Sequence, residues 1–174
     1  MKVIDLDQKT EKPGSLRFVS YINNQQGFTF EYPMKWQKDF SRGRLLIRPL
    51  EAKTVVEVSG KIAEIIFSPC ITMLVGERNT ENPLQFYKDF LDAQRRNFDK
   101  YKLLWEHPFT LSSGEEALEW TFEFARGPHD FTAISVLAAK PNRIFHLDCS
   151  CLNSQIQNLE PILRRIVESL SLIT

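Results

Sequence analysis

The sequence predicts an α+β fold, an antiparallel sheet of about six or seven strands with helices packed on its faces. Three observations carry that expectation. Apolar and polar residues alternate over several short stretches, the period-2 mark of half-buried strands. These stretches come in runs joined by turn residues, which favours antiparallel neighbours over alternating βα units. Helical periodicity is confined to one central and one terminal segment. At 174 residues the chain suits a single domain and can bury a core without disulfide staples.

Taken in order, residues 1–15 are polar, contain Pro13-Gly14 and read as a flexible leader; residues 16–174 form the domain. Leu16 to Ile22 reads as a strand, Asn23 to Gly27 as a turn, and Phe28, Phe30 and Tyr32 as the inward positions of a second strand stopped by Pro33. The stretch from Arg44 to Val75 is β-rich, with runs at Leu45–Ile47, Thr54–Val58, Ile62–Phe67 and Ile71–Val75. Pro83 opens a helix extending to about Tyr101, with Asn82 as N-cap and Leu84, Tyr87, Leu91, Gln94 and Phe98 on its stripe. Phe86 and Phe90 widen that stripe, and Arg95, Arg96 and Lys100 fall in the last turns, where cations complement the dipole.

Leu103 and Trp105 then lead into Pro108, and Ser112-Ser113-Gly114 turns the chain. Leu118, Trp120, Phe122 and Phe124 alternate with Glu119, Thr121 and Glu123, placing the glutamates on a solvated face. Arg126 to Asp130 reads as a hairpin loop between this strand and Phe131–Ala139, and Ile144–Cys151 as the last strand. A helix over Ser154–Leu170 closes the domain, with a kink or restart expected at Pro161. Trp36, Trp105 and Trp120 are all expected to be mostly buried.

Charge excludes some functions. Lys plus Arg and Asp plus Glu number 22 each, a balance that argues against a dedicated nucleic-acid binder. No apolar stretch is long enough for a membrane span, and no signal-peptide pattern begins the chain, so a cytoplasmic location is expected, or a lumenal or secreted one if a leader was removed.

The residues Gly27-Phe28-Thr29-Phe30-Glu31-Tyr32-Pro33-Met34-Lys35-Trp36 resemble the F-x-x-x-Y-P-x-x-W entry of PsbP-like proteins. The helix after Asn82-Pro83, the strand led by Ser113-Gly114-Glu115-Glu116-Ala117, and the exit Ser169-Leu170-Ser171-Leu172 resemble later landmarks of that family, in the same order over residues 16–173. The resemblance implies a PsbP-like α/β/α sandwich, a fold shared with the Ran-binding Mog family and with bacterial proteins of unknown function. It implies an accessory or assembly factor that docks to other proteins, with a photosystem II oxygen-evolving-complex accessory as the named alternative. The stretch from Glu51 to Lys61 departs from the pattern as extra β material.

Candidate chemistry is sparse. Cys149-x-Cys151 offers half a metal site or a redox pair, with Cys70 as a third thiol. Positions i and i+2 of a strand share a face, however, so Phe145, Leu147, Cys149 and Cys151 also form one apolar row. His146 and Asp148 share the opposite face and could ligate a metal or transfer protons, the basis of a metal-assisted enzyme as second alternative. There is no G-x-S-x-G and no phosphate-cradling loop. The expectation is therefore a non-catalytic module with no cofactor and no metal, a protein partner, and docking loops at Ser41, Arg42 and Arg44 and at Arg126, His129 and Asp130.

Overall fold

The computed structural model describes residues 16–41, 43–59, 62–77 and 81–173. The expected leader, Arg42, and the turn at Gly60 lie outside the described residues. A seven-stranded antiparallel sheet forms the centre. Its strands are β3 (Gln37–Ser41), β4 (Arg44–Arg48), β7 (Cys70–Glu77), β8 (Asp99–Thr110), β9 (Glu116–Arg126), β10 (His129–Lys140) and β11 (Arg143–Leu152). They lie in the order β3-β4-β7-β11-β10-β9-β8. A three-stranded sheet joins β1 (Phe18–Asn23), β2 (Phe28–Pro33) and β12 (Ser171–Leu172), and β5 (Lys53–Ser59) pairs with β6 (Ile62–Ser68) as a separate hairpin. Its first strand, β5, falls within the β material anticipated between Glu51 and Lys61.

Helix α1 (Pro83–Arg95) covers one face of the main sheet; α2 (Ile156–Glu168), led by a 3-10 turn, packs on the other beside the small sheet. Register sorts the side chains. Ile47, Ile71, Cys149, Ile134, Thr121 and Trp105 stand in one row across six strands on the α2 side. Leu46, Thr72, Asp148, Ser135, Trp120 and Glu106 form the equivalent row on the α1 side. The larger core lies on the α2 side, where Phe28 and Phe30 of β2 and Leu163, Ile166 and Val167 of α2 meet Phe145, Leu147 and Cys149. Each such side chain, fully buried, contributes about 1.5–3 kcal/mol.

Several expectations change. β3 has a single large apolar residue, Phe40, and escaped the pattern. α1 stops at Arg95 rather than near Tyr101. Lys100 adopts φ 55°, and Asp99 already begins β8. Phe98 therefore leaves the helical stripe and packs its ring on Phe124 at 5.3 Å. Gln94, Phe86 and Phe90 are exposed, and Asn82 makes no side-chain cap. β8 runs through Pro108, which is tolerated because β8 is an edge strand of the main sheet. α2 continues through Pro161 as one helix, with the proline exposed. Trp120 is wholly buried, whereas Trp36 and Trp105 are half-buried.

Candidate functional site

The most polar constellation inside the fold lies between α1 and the sheet. His146 and Asp148 alternate with the core residues Phe145, Leu147 and Cys149, so pleating alone turns them toward α1. Arg95 reaches them from the last residue of the helix. Its Nη2 donates to Asp148 Oδ1 at 2.8 Å and to Ser135 Oγ at 3.3 Å, and lies 3.4 Å from His146 Nε2. Ser135, beside Asp148 on β10, donates its hydroxyl to the same carboxylate. The guanidinium lies over Phe122 at 4.3 Å and beside Trp120 at 5.3 Å, and the imidazole stacks on Trp120 at 6.0 Å. Arg95, expected as a helix-end cation complementing the dipole, is buried and paired with Asp148.

This wiring constrains the chemistry. A guanidinium can only donate, so His146 Nε2 meets it as an acceptor and the ring proton sits on Nδ1. Burial lowers the imidazole to about 4, the nearby Asp148 carboxylate opposes that shift, and Arg95 and Arg44 reinforce it. Serine, histidine and aspartate thus coexist here in a different connection from a hydrolase triad, where histidine takes the serine proton. Here the aspartate accepts from Ser135, and Ser135 is fully buried.

The thiols belong to the packing. Cys149 and Cys151 are wholly buried on the α2 side, and Cys70 is buried on the α1 side. Burial raises all three, Cys70 and Cys151 to about 12, and Asp148 adds to the effect on Cys70 and Cys149. Such thiols stay protonated and weakly nucleophilic. Among the described residues no three His, Cys, Asp or Glu side chains are grouped to hold a metal ion.

A second polar group sits on the α2 side. Glu119, expected on a solvated face, is buried beneath α2 and paired with Arg164, whose guanidinium also covers Trp105 at 4.7 Å. A shallow depression of about 360 Å³ opens near the start of α1, lined by Leu84, Gln85, Pro108, Glu116 and Leu118 among others. Its titratable group is Glu116 alone.

The expected docking residues fall at opposite ends of the sheet. β4 and β9 run parallel, four antiparallel steps apart, and Leu46 shares a row with Trp120. Arg44 lies two residues before Leu46 and Arg126 six after Trp120, so Ser41 and Arg44 mark one end and Arg126 the other. His129 and Asp130 are the first residues of β10 rather than loop residues; the turn itself is Gly127-Pro128. Arg126 stacks on Phe98 at 4.5 Å, and Asp130 pairs with Lys100 at 3.0 Å. Sequence reasoning did single out His146 and Asp148. Arg95 was assigned to the dipole, and Ser135 carried no local signal.

This layered architecture is the PsbP-like fold. Cyanobacterial PsbP (CyanoP) from Synechocystis is similar over 93% of this chain and 96% of its own, with a TM-score of 0.63 at 13% identity. LpqN, involved in cell envelope biogenesis of Mycobacterium tuberculosis, matches over 92% of both chains with a TM-score of 0.61 at 12% identity. A Pseudomonas aeruginosa protein of unknown function, described as a putative regulator, matches 89% of this chain with a TM-score of 0.51 at 14% identity. No family model and no curated protein sequence matches the chain. No helix among the described residues is long and apolar enough to cross a membrane.

Proposed function

We propose that this chain is a non-catalytic protein-interaction or accessory module of the PsbP-like fold. The observation that carries the reading is the wiring of the Arg95, Ser135, His146 and Asp148 cluster. Its one candidate nucleophile is buried and bonded to a carboxylate, its histidine nitrogen faces a guanidinium, and its carboxylate is paired with Arg95. Those side chains fasten α1 to the sheet, and the one hydroxyl among them, that of Ser135, is fully buried against Asp148. A second feature supports docking as the task. Phe86, Phe90, Leu74, Leu103 and Leu104 are large apolar residues left exposed on α1 and the strands.

The test is affinity capture of the chain from its native organism, with the co-purifying proteins identified and the interaction rebuilt from purified components. A stoichiometric protein partner is the expected result. Photosystem II subunits as that partner would move the reading to the photosystem accessory. A tightly held small molecule with no protein partner, or turnover abolished by Ser135→Ala in a still-folded protein, would overturn it.

A further inference from the structure

The α1 side of the main sheet is covered over half its width. α1 lies on β9 and β10 and reaches β11 through Arg95, while β7 and β4 continue beyond it. There Leu74 is 38% exposed, and Leu46 and Thr72 are half-buried. Tyr87 donates its hydroxyl to the Glu77 carbonyl at the end of β7, so that flank of the helix faces these open strands. Phe90 lies one turn further along the same flank. Phe86 meets the Tyr87 ring edge-on at 5.4 Å. The two phenylalanines are 52% and 51% exposed. An apolar shoulder therefore runs from the helix down onto β7 and β4.

The rim of this shoulder is cationic. Arg44 and Arg48 flank Leu46 at i−2 and i+2 and so share its face. Arg48 lies over the Phe67 ring at 3.9 Å, and its buried Nε has no hydrogen-bond acceptor. Of the nearby carboxylates, Asp148 serves Arg95 and Ser135, and Asp39, opposite Leu46 on β3, accepts from the Phe40 amide and makes no ion pair with either arginine. Among the described residues neither Arg44 nor Arg48 has a carboxylate partner, in a chain whose total charge is balanced.

We infer that this shoulder docks a protein segment in which apolar and acidic residues are combined. Its apolar side chains cover Phe86, Phe90 and Leu74, and its carboxylates pair with Arg44 and Arg48, where a guanidinium edge offers two parallel donors. The inference rests on the interaction-module reading and names the partner's chemistry and the face it uses.

The probe is a short fluorescent peptide in which Leu and Phe alternate with Asp and Glu, compared with a counterpart carrying Lys at the acidic positions. The acidic peptide is expected to bind at least about tenfold more tightly, an advantage that salt erodes. Arg44→Glu, and Phe86→Ser with Phe90→Ser, should each weaken it about tenfold; these positions are exposed, so the fold survives. Arg165→Glu, on the α2 side, should leave binding unchanged. Equal affinity for the two peptides, or indifference to Arg44→Glu, would overturn the inference. Hydrogen-exchange protection in a captured native complex separates the two claims. Protection over α1 and β4 supports both, whereas protection elsewhere defeats this surface and leaves the interaction reading standing.

Discussion

At the scale of single residues, the Arg95 and Asp148 pair behaves as a buried ion pair whose halves depend on each other. Asp148→Asn removes the charge that balances a guanidinium with one-tenth of its side chain exposed. The expected loss is about 3–5 kcal/mol, measured by urea unfolding. The double variant Arg95→Met with Asp148→Leu should recover most of that loss, because neither charge then remains buried alone. His146 adds a pH dependence of known sign. Its folded value, about 4, lies below the unfolded 6.5, so the unfolded chain takes up the proton first as pH falls. Its contribution is complete above about pH 6.5 and is lost progressively toward pH 4, by up to roughly 3 kcal/mol. Comparing His146→Gln with the parent protein at pH 7 and pH 5 checks this. The variant should show a flatter dependence over that window.

At the scale of elements, α2 carries a removable defect. Pro161 cannot donate to the carbonyl one turn earlier, yet the helix continues because the proline is exposed and Ile162, Leu163, Ile166 and Val167 hold the chain to the sheet. Pro161→Ala is therefore expected to raise stability by about 1–3 kcal/mol, read as a higher denaturant midpoint at an unchanged slope. The restart that propensity allowed at Pro161 does not occur, because burial of the opposite face holds the helix to the sheet. Alternation located β2, β9, β10 and β11 well, because each presents an uninterrupted row to the larger core or to α1. It missed β3, which has little to bury, and extended α1 through Phe98, whose spacing stayed helical after the backbone had left the helix. Glu119 was misread for a tertiary reason, since strand periodicity cannot say that a helix will cover the polar face and bring Arg164 to it. Half of the central cluster was legible for the converse reason. His146 and Asp148 are two apart on one strand, whereas Ser135 and Arg95 arrive from a neighbouring strand and a helix.

At the scale of the whole molecule, the main sheet separates two unlike surfaces. Its α2 side carries α2 and the small sheet over the larger core, and its α1 side is half open. The long edge strand β8 looks available for pairing with another chain, but register shifts near Lys102 and Leu103 and the presence of Pro108 guard it. Variants on the open face should therefore change association and leave the unfolding midpoint within about 0.5 kcal/mol of the parent. The small sheet has a different kind of consequence. β2 is made early, yet its second neighbour is β12, and Ile173 donates to the carbonyl of Gly27, where φ is 82° and a Cβ would stand 3.1 Å from the Ile173 oxygen. During translation Phe28 and Phe30 thus wait, uncovered, for residues that leave the ribosome more than a hundred positions later. Nascent chains arrested before α2 has emerged should be cut readily by protease within β2, and release of the segment through Ile173 should abolish that cleavage.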